Sequence, residues 1–166
     1  AVMKVDAQSP YFVKFEPRSY DLGETLYAAG YPLSKRMGDD LKLTKGMLMS
    51  ARDDERGWIP KGFLLTDIPV GSGNSGGPIF SESGMLRGLV AGIWFWSEDI
   101  PEEAGQMSDN PTAAVSGLEI IKYLDSHQAG LYTIRTGDVK ILKSTEIAKF
   151  AEKVTVKVEC IEYDKR

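Results

Sequence analysis

Residues 73–80 read Gly73-Asn74-Ser75-Gly76-Gly77-Pro78-Ile79-Phe80, and this stretch decides how the rest of the chain is read. A serine between glycines can present its hydroxyl on a tight turn. Glycine takes positive φ and lets another backbone come close. Such a turn can also aim backbone N–H groups at one point, which is what an oxyanion hole requires beside a nucleophile. Pro78 argues against a helix directly after the turn. An apolar pair, Ile79-Phe80, follows, then a turn at Glu82-Ser83-Gly84 and a second apolar run over 86–96. Gly/Ser/Asn clusters are also ordinary turn composition, so the neighbouring residues must carry the argument.

They do so on both sides. Leu65-Thr66-Asp67-Ile68-Pro69-Val70-Gly71-Ser72 leads in, and Gly88-Leu89-Val90-Ala91-Gly92-Ile93 follows at hairpin distance. The block resembles the nucleophile region of trypsin-like serine peptidases, and within them the HtrA-type branch, where T-D-x-x-[IV]-x-x-G-N-S-G-G-P is typical. Thr66, Asp67, Val70 and residues 73–78 fall in register with it. Gly23-Glu24-Thr25-Leu26 and Ala29-Gly30-Tyr31-Pro32 look like that branch's G-[DE]-x-[VL] and G-x-P segments. Gly46-Met47-Leu48-Met49-Ser50 looks like its G-x-[VL]-x-S strand. Ala1-Val2-Met3-Lys4-Val5-Asp6 looks like the stretch that directly follows the catalytic aspartate. The resemblance covers residues 1–126 and implies a mainly β fold: the linker and second β-barrel of the chymotrypsin/trypsin-like two-barrel architecture.

The residues agree with a mainly β reading. Short candidate strands fall at 2–5, 11–15, 25–29, 41–45, 47–51 and 62–67, punctuated by Gly and Pro, which suits a barrel or sandwich. Residues 34–40 read as a polar loop, and 110–115 as a late strand. Ser116-Gly117-Leu118-Glu119 is a capping-box pattern, with Ile120, Ile121 and Leu124 at helical spacing behind it. A C-terminal helix closing the barrel is what the resemblance implies there. The domain reading is a barrel half over 1–126 and a small α+β extension over 127–166, with a strand at 131–135, a helix at 145–153 and a strand at 154–163.

Bulk properties narrow the classes. A formal net charge of −4 suggests no nucleic-acid partner. The single cysteine, Cys160, excludes an intrachain disulfide and reads as a small core residue; disulfide-rich secreted relatives are therefore a poorer match than the HtrA-type branch. One histidine and one cysteine cannot assemble a typical zinc site. No metal or cofactor is expected. No apolar run is long enough to span a membrane, no signal peptide is visible, and no compartment is indicated.

The chemistry is half present. A serine nucleophile needs a general base, and the base needs an orienting group. The only histidine, His127, follows Ser75, whereas the resemblance implies the order His, Asp, Ser. The resemblance therefore implies a chain carrying Ser75 as nucleophile and an oxyanion hole from the N–H groups of Gly73 and Ser75. Histidine and aspartate would come from sequence upstream of Ala1 or from an associated chain holding the first barrel. Asn74 stands where zymogen-activated trypsins carry an ion-pairing aspartate, and an amide cannot make that pair. Ile68, Pro69, Val70, Gly71 and Ser72 would form one wall of the substrate pocket, and Trp94, Phe95, Trp96 and Ser97 the other. A small or apolar side chain before the scissile bond is expected, since no carboxylate lies in these walls. G-N-S-G-G also fits the G-x-S-x-G elbow, with Asp99 or Asp109 and His127 in the order of α/β-hydrolases. Gly76-Gly77-Pro78 and the absence of alternating strands and helices argue against that fold. Two functions remain in play: a serine endopeptidase acting on polypeptides, or a catalytically inactive peptidase-like module that holds a protein partner. Either is compatible with an oligomer.

Overall fold

The computed structural model of the chain describes residues 6, 8–51, 60–93, 111–127, 132–135 and 140–159. Six strands close into an antiparallel barrel in the order β1-β2-β3-β6-β5-β4. They are β1 (Thr25–Gly30), β2 (Lys42–Ala51), β3 (Phe63–Thr66), β4 (Pro78–Ser81), β5 (Leu86–Ile93) and β6 (Thr112–Ser116). Among the described residues, three helices accompany them: α1 (Ser34–Met37), α2 (Gly117–His127) and α3 (Ser144–Val154). Among the described residues, no helix is long and apolar enough to cross a membrane.

Strand alternation builds the core. Successive side chains on a strand point to opposite faces, so one residue in two can fill the barrel. Leu26 and Ala28 from β1, Leu48 from β2, Leu64 from β3, Ile79 from β4, Val90 from β5 and Ala114 from β6 form a single buried cluster. Alanines at positions 28 and 114 suit an interior that must hold side chains from every strand. The alternate residues do not face water either. Tyr27, Ala29 and Phe80 lie beneath α3, against the fully buried Ile147 and Ala151. Phe15, Leu86 and Leu124 form a third cluster, flanked by Ile120 and Ile121 of α2.

The strand at 25–29 is seen as β1, and the helix at 145–153 as α3. Other expectations change. Residues 42–51 form one strand, not two around Gly46. Gly46 marks a close approach: a Cβ there would collide with the Asp67 carboxylate, which accepts a hydrogen bond from the Met47 N–H. The polar loop at 34–40 contains the short α1, entered through Leu33 at φ 49°. Residues 11–15 form no strand. Phe15 alone makes parallel bridges, to Leu86 on one side and Ile134 on the other. Ile134 is likewise the only bridged position described in 131–135. Only half of the capping box forms. Ser116 Oγ accepts the Glu119 N–H at 3.2 Å, but the Ser116 N–H donates to the Gly62 carbonyl and leaves Glu119 nothing to cap. Residues 155–159 belong to no strand ladder. The expected strand at 2–5 and Cys160 lie outside the described residues.

Arg87 on β5 has a place that its local sequence does not announce. Its side chain is wholly buried, and all five donors of the guanidinium find acceptors. Nε and one terminal nitrogen donate to Glu24 Oε1 at 3.2 and 2.9 Å. The carbonyls of Glu16, Arg18 and Ser19 accept at 2.9, 3.1 and 2.8 Å. Tyr20 stacks on the guanidinium at 4.0 Å. Removing one partner of a buried ion pair leaves an uncompensated charge in low dielectric. Glu24→Ala should therefore lower the unfolding free energy by about 3–5 kcal/mol, measured by urea denaturation, whereas disrupting the exposed Lys122–Glu119 pair should cost under about 1 kcal/mol. Equal effects would remove Arg87 from its central place.

The start of α3 carries a pH dependence. The Glu146 carboxylate accepts the Lys143 backbone N–H at 2.8 Å, and this bond holds its pKa below the ordinary 4.5. A lowered acid pKa stabilises the folded state above the unfolded value and loses that contribution as pH falls through the folded one. The first turn of α3 should fray below about pH 4.5, seen in NMR shifts of Ala148, and Glu146→Gln should abolish the pH response.

Candidate active site

The loop before β4 is drawn tight by hydrogen bonds within and around it. The Asn74 N–H donates to the Gly71 carbonyl at 3.0 Å, and the Gly77 N–H to the Asn74 carbonyl at 2.8 Å. Strand β5 pins the far side: the Gly76 N–H donates to Val90 O at 2.7 Å, and the Val90 N–H to Gly77 O at 2.9 Å. On the near side, the Leu33 N–H donates to Ser72 O at 2.8 Å. Two residues take positive φ, Gly73 at 105° and Gly76 at 80°.

Close packing explains two of the glycines. A Cβ on Gly73 would lie 2.5 Å from the Tyr31 carbonyl oxygen, and one on Gly77 would strike the Ala29 carbonyl. Asn74 is the inward-pointing residue of the turn, 2% exposed, with its side chain over Gly30. Its Oδ1 is buried without a hydrogen-bond partner. With Asn74 turned in, Ser75 is left exposed at the apex.

The N–H groups of Asn74, Gly76 and Gly77 are all used by internal acceptors. Among the described residues, those of Gly73 and Ser75 donate to none. Two free amides therefore flank the exposed hydroxyl. Unpaired donors of this kind can bind an oxygen that gains negative charge.

A groove of about 1070 Å³ runs past this turn and is lined by Ser72, Gly73 and Ser75. The other residues expected to shape a pocket are placed variously. Ile68 is 1% exposed and belongs to the barrel interior. Its carbonyl accepts from Thr112 Oγ1 at 2.6 Å, which ties down the loop leading to the turn. Pro69 is exposed and Gly71 partly buried; neither lines the groove. Val70 is half-buried against the interior cluster. Trp94, Phe95, Trp96 and Ser97 lie outside the described residues. His127 does not line the groove. It ends α2 stacked on Tyr123 at 4.2 Å, with Nδ1 2.7 Å from Ser126 Oγ and 2.9 Å from the Tyr123 carbonyl oxygen.

The groove also has walls that the sequence reading left out. Tyr31 and Arg36 line one part, and residues 154–158 another. Tyr31 adjoins Gly30 in the Ala29-Gly30-Tyr31-Pro32 segment. Nothing local marks 154–158 as neighbours of Ser75, because they are brought there by the docking of α3.

The closed barrel thus presents an exposed serine on a glycine turn, beside two free amides. The chain belongs to the trypsin-like peptidase family: the family model for the trypsin-like peptidase domain matches residues 1–89. It is 33% identical over 98 residues to a probable periplasmic serine endoprotease, DegP-like, of Pseudomonas putida, covering 57% of this chain and 19% of that protein. It is 27% identical over 165 residues to the uncharacterized protein y4bJ of Sinorhizobium fredii, covering 96% of this chain and 24% of that one. The chain thus spans about a quarter or less of these curated relatives. Its fold is similar to that of the serine endoprotease from Yersinia pestis, with a TM-score of 0.50 and 22% identity over 69% of this chain and 34% of that one.

The turn's geometry sets a mutational contrast. Both Gly73→Ala and Gly76→Ala place a side chain at positive φ, at about 1–2 kcal/mol. Only at Gly73 does the new Cβ also meet backbone, whereas the space at Gly76 is open. Gly73→Ala should abolish the reaction of Ser75 with a fluorophosphonate, and Gly76→Ala should leave it measurable. Equal labelling of the two variants would mean that the Gly73 amide has no part in the site.

Proposed function

We propose that this chain is the nucleophile-bearing part of a serine endopeptidase. Ser75 Oγ attacks the carbonyl carbon of a peptide bond, and the resulting oxyanion is held by the N–H groups of Gly73 and Ser75. Collapse of that intermediate expels the amine and leaves an acyl-enzyme on Ser75, which water then hydrolyses. The observation that carries this reading is the pair of free amides beside an exposed hydroxyl, in a turn where the N–H groups of Asn74, Gly76 and Gly77 are internally bonded. Removing one such donor typically costs about 2.7–4 kcal/mol of transition-state stabilisation.

The base and its orienting group come from polypeptide outside residues 1–166. His127 supports this division, since it is bonded at the end of α2 and stands apart from the groove. The substrates are polypeptides, in keeping with the endoprotease names of the relatives. Residues 127–166 form an extension to the barrel half, 1–126.

A fluorophosphonate probe on the purified protein, read by intact and peptide mass spectrometry beside a Ser75→Ala control, tests the reading. Label confined to Ser75 is expected, and fast labelling should require a second polypeptide that brings a histidine. The isolated chain should fall far below ordinary peptidase turnover of about 1–10³ per second. Full turnover by residues 1–166 alone would overturn the assignment of an external base. Absence of label even with the histidine-bearing polypeptide present would favour a partner-binding module.

A further inference from the structure

Helix α3 delivers the chain to the groove. It ends where the Thr155 N–H donates to the Ala151 carbonyl at 2.9 Å, and Thr155 is already extended, at φ −108° and ψ 126°. Residues 155–158 then run along the groove that holds Ser75. Three anchors keep them there. Ile147 and Ala151 fix α3 against Tyr27, Ala29 and Phe80. The Tyr31 hydroxyl donates to the Thr155 carbonyl at 3.3 Å. Lys157 Nζ pairs with Asp39 at 2.7 Å. Tyr31 is also the residue whose carbonyl packs against Gly73, so one segment positions both the turn and the stretch beside it.

This stretch is extended but incomplete as a strand. Among the described residues, the backbone N–H and C=O groups of 156–158 have no hydrogen-bond partner. Val156 and Val158 are 77% and 67% exposed, and residues two apart on an extended chain share a face. An open backbone edge flanked by an apolar face is what an extended peptide adds to as a further strand. In this groove, the peptide that fits such an edge is the one whose carbonyl meets Ser75.

We infer that residues 155–158 form a wall of the peptide-binding groove, to which an extended polypeptide substrate adds as a strand while packing an apolar side chain on Val156 and Val158. The inference rests on the proposed reading of Ser75 as the nucleophile, and extends it to a segment outside the barrel.

The test uses the full chain carrying Ser75→Ala, with fluorescein-labelled, unfolded casein as the probe. A photo-crosslinking p-benzoylphenylalanine is placed at position 156 in one protein and at position 72 in another. Crosslinks to casein from both positions are expected. In a companion measurement, Val156→Pro removes an N–H that no internal bond uses. It should weaken casein binding about tenfold in fluorescence anisotropy, while Val156→Ala weakens it less. Crosslinking at position 72 alone, with unchanged affinity in Val156→Pro, would overturn the wall and leave the Ser75 reading standing. Faster fluorophosphonate labelling of Ser75 when Val156→Pro is made in the otherwise unaltered chain would overturn it differently, by showing that the segment covers the site. Crosslinking at neither position would sink both proposals.

Discussion

A buried guanidinium that makes five hydrogen bonds is the constraint on which the barrel's geometry depends. Arg87 lies on β5, yet its acceptors are Glu24 and three carbonyls in 16–19. A cation excluded from water is tolerable only when its partners are complete and well placed. The arm before β1 therefore has little freedom to lie anywhere else. That arm sets where β1 begins, and β1 is the strand that closes the barrel by pairing with both β2 and β4. Three residues beyond Arg87, Val90 makes the two backbone bonds that hold Gly76 and Gly77. The charge and the Ser75 turn are thus tied to one strand.

The turn itself is a problem of donor placement. Tight turns bury or use most of their amides, because an unpaired buried N–H is costly. Here Asn74 turns inward, the N–H groups of Asn74, Gly76 and Gly77 are bonded, and those of Gly73 and Ser75, both at exposed residues, are left free. Solvent can satisfy them at rest, and a developing oxyanion can replace that solvent. Gly73 and Gly77 are needed because carbonyls of 29–31 press against the turn. The same compression that forbids side chains there keeps the donors from wandering.

Helix α3 links stability to access. Its buried residues cover the outer face of β1 and β4, and its C-terminal continuation reaches the groove. Interior and exterior of the barrel are therefore both apolar along these strands, which explains why β1 is buried at five of its six positions. A strand buried on both faces reads as a continuous apolar run, not as an alternation.

The glycine turn, the serine at its apex and the hairpin after it were legible in the sequence because they depend on local backbone rules: where φ must be positive, and where a Cβ cannot fit. Short apolar runs punctuated by Gly and Pro likewise disclosed most of the barrel strands, and helical spacing disclosed α2. Sequence alone also showed that residues 1–74 hold no histidine. Tertiary structure decided the rest. Arg87 looks like a polar interruption in an apolar strand until partners 63–71 residues away along the chain are brought to it. Ile68 sits within the segment read as a pocket wall but turns into the barrel, because strand closure gives it a place in the interior. Residues 154–158 become neighbours of Ser75 only through the docking of α3. Local conformation is written in adjacent residues, whereas burial and the completion of a charge's partners depend on which distant segments meet.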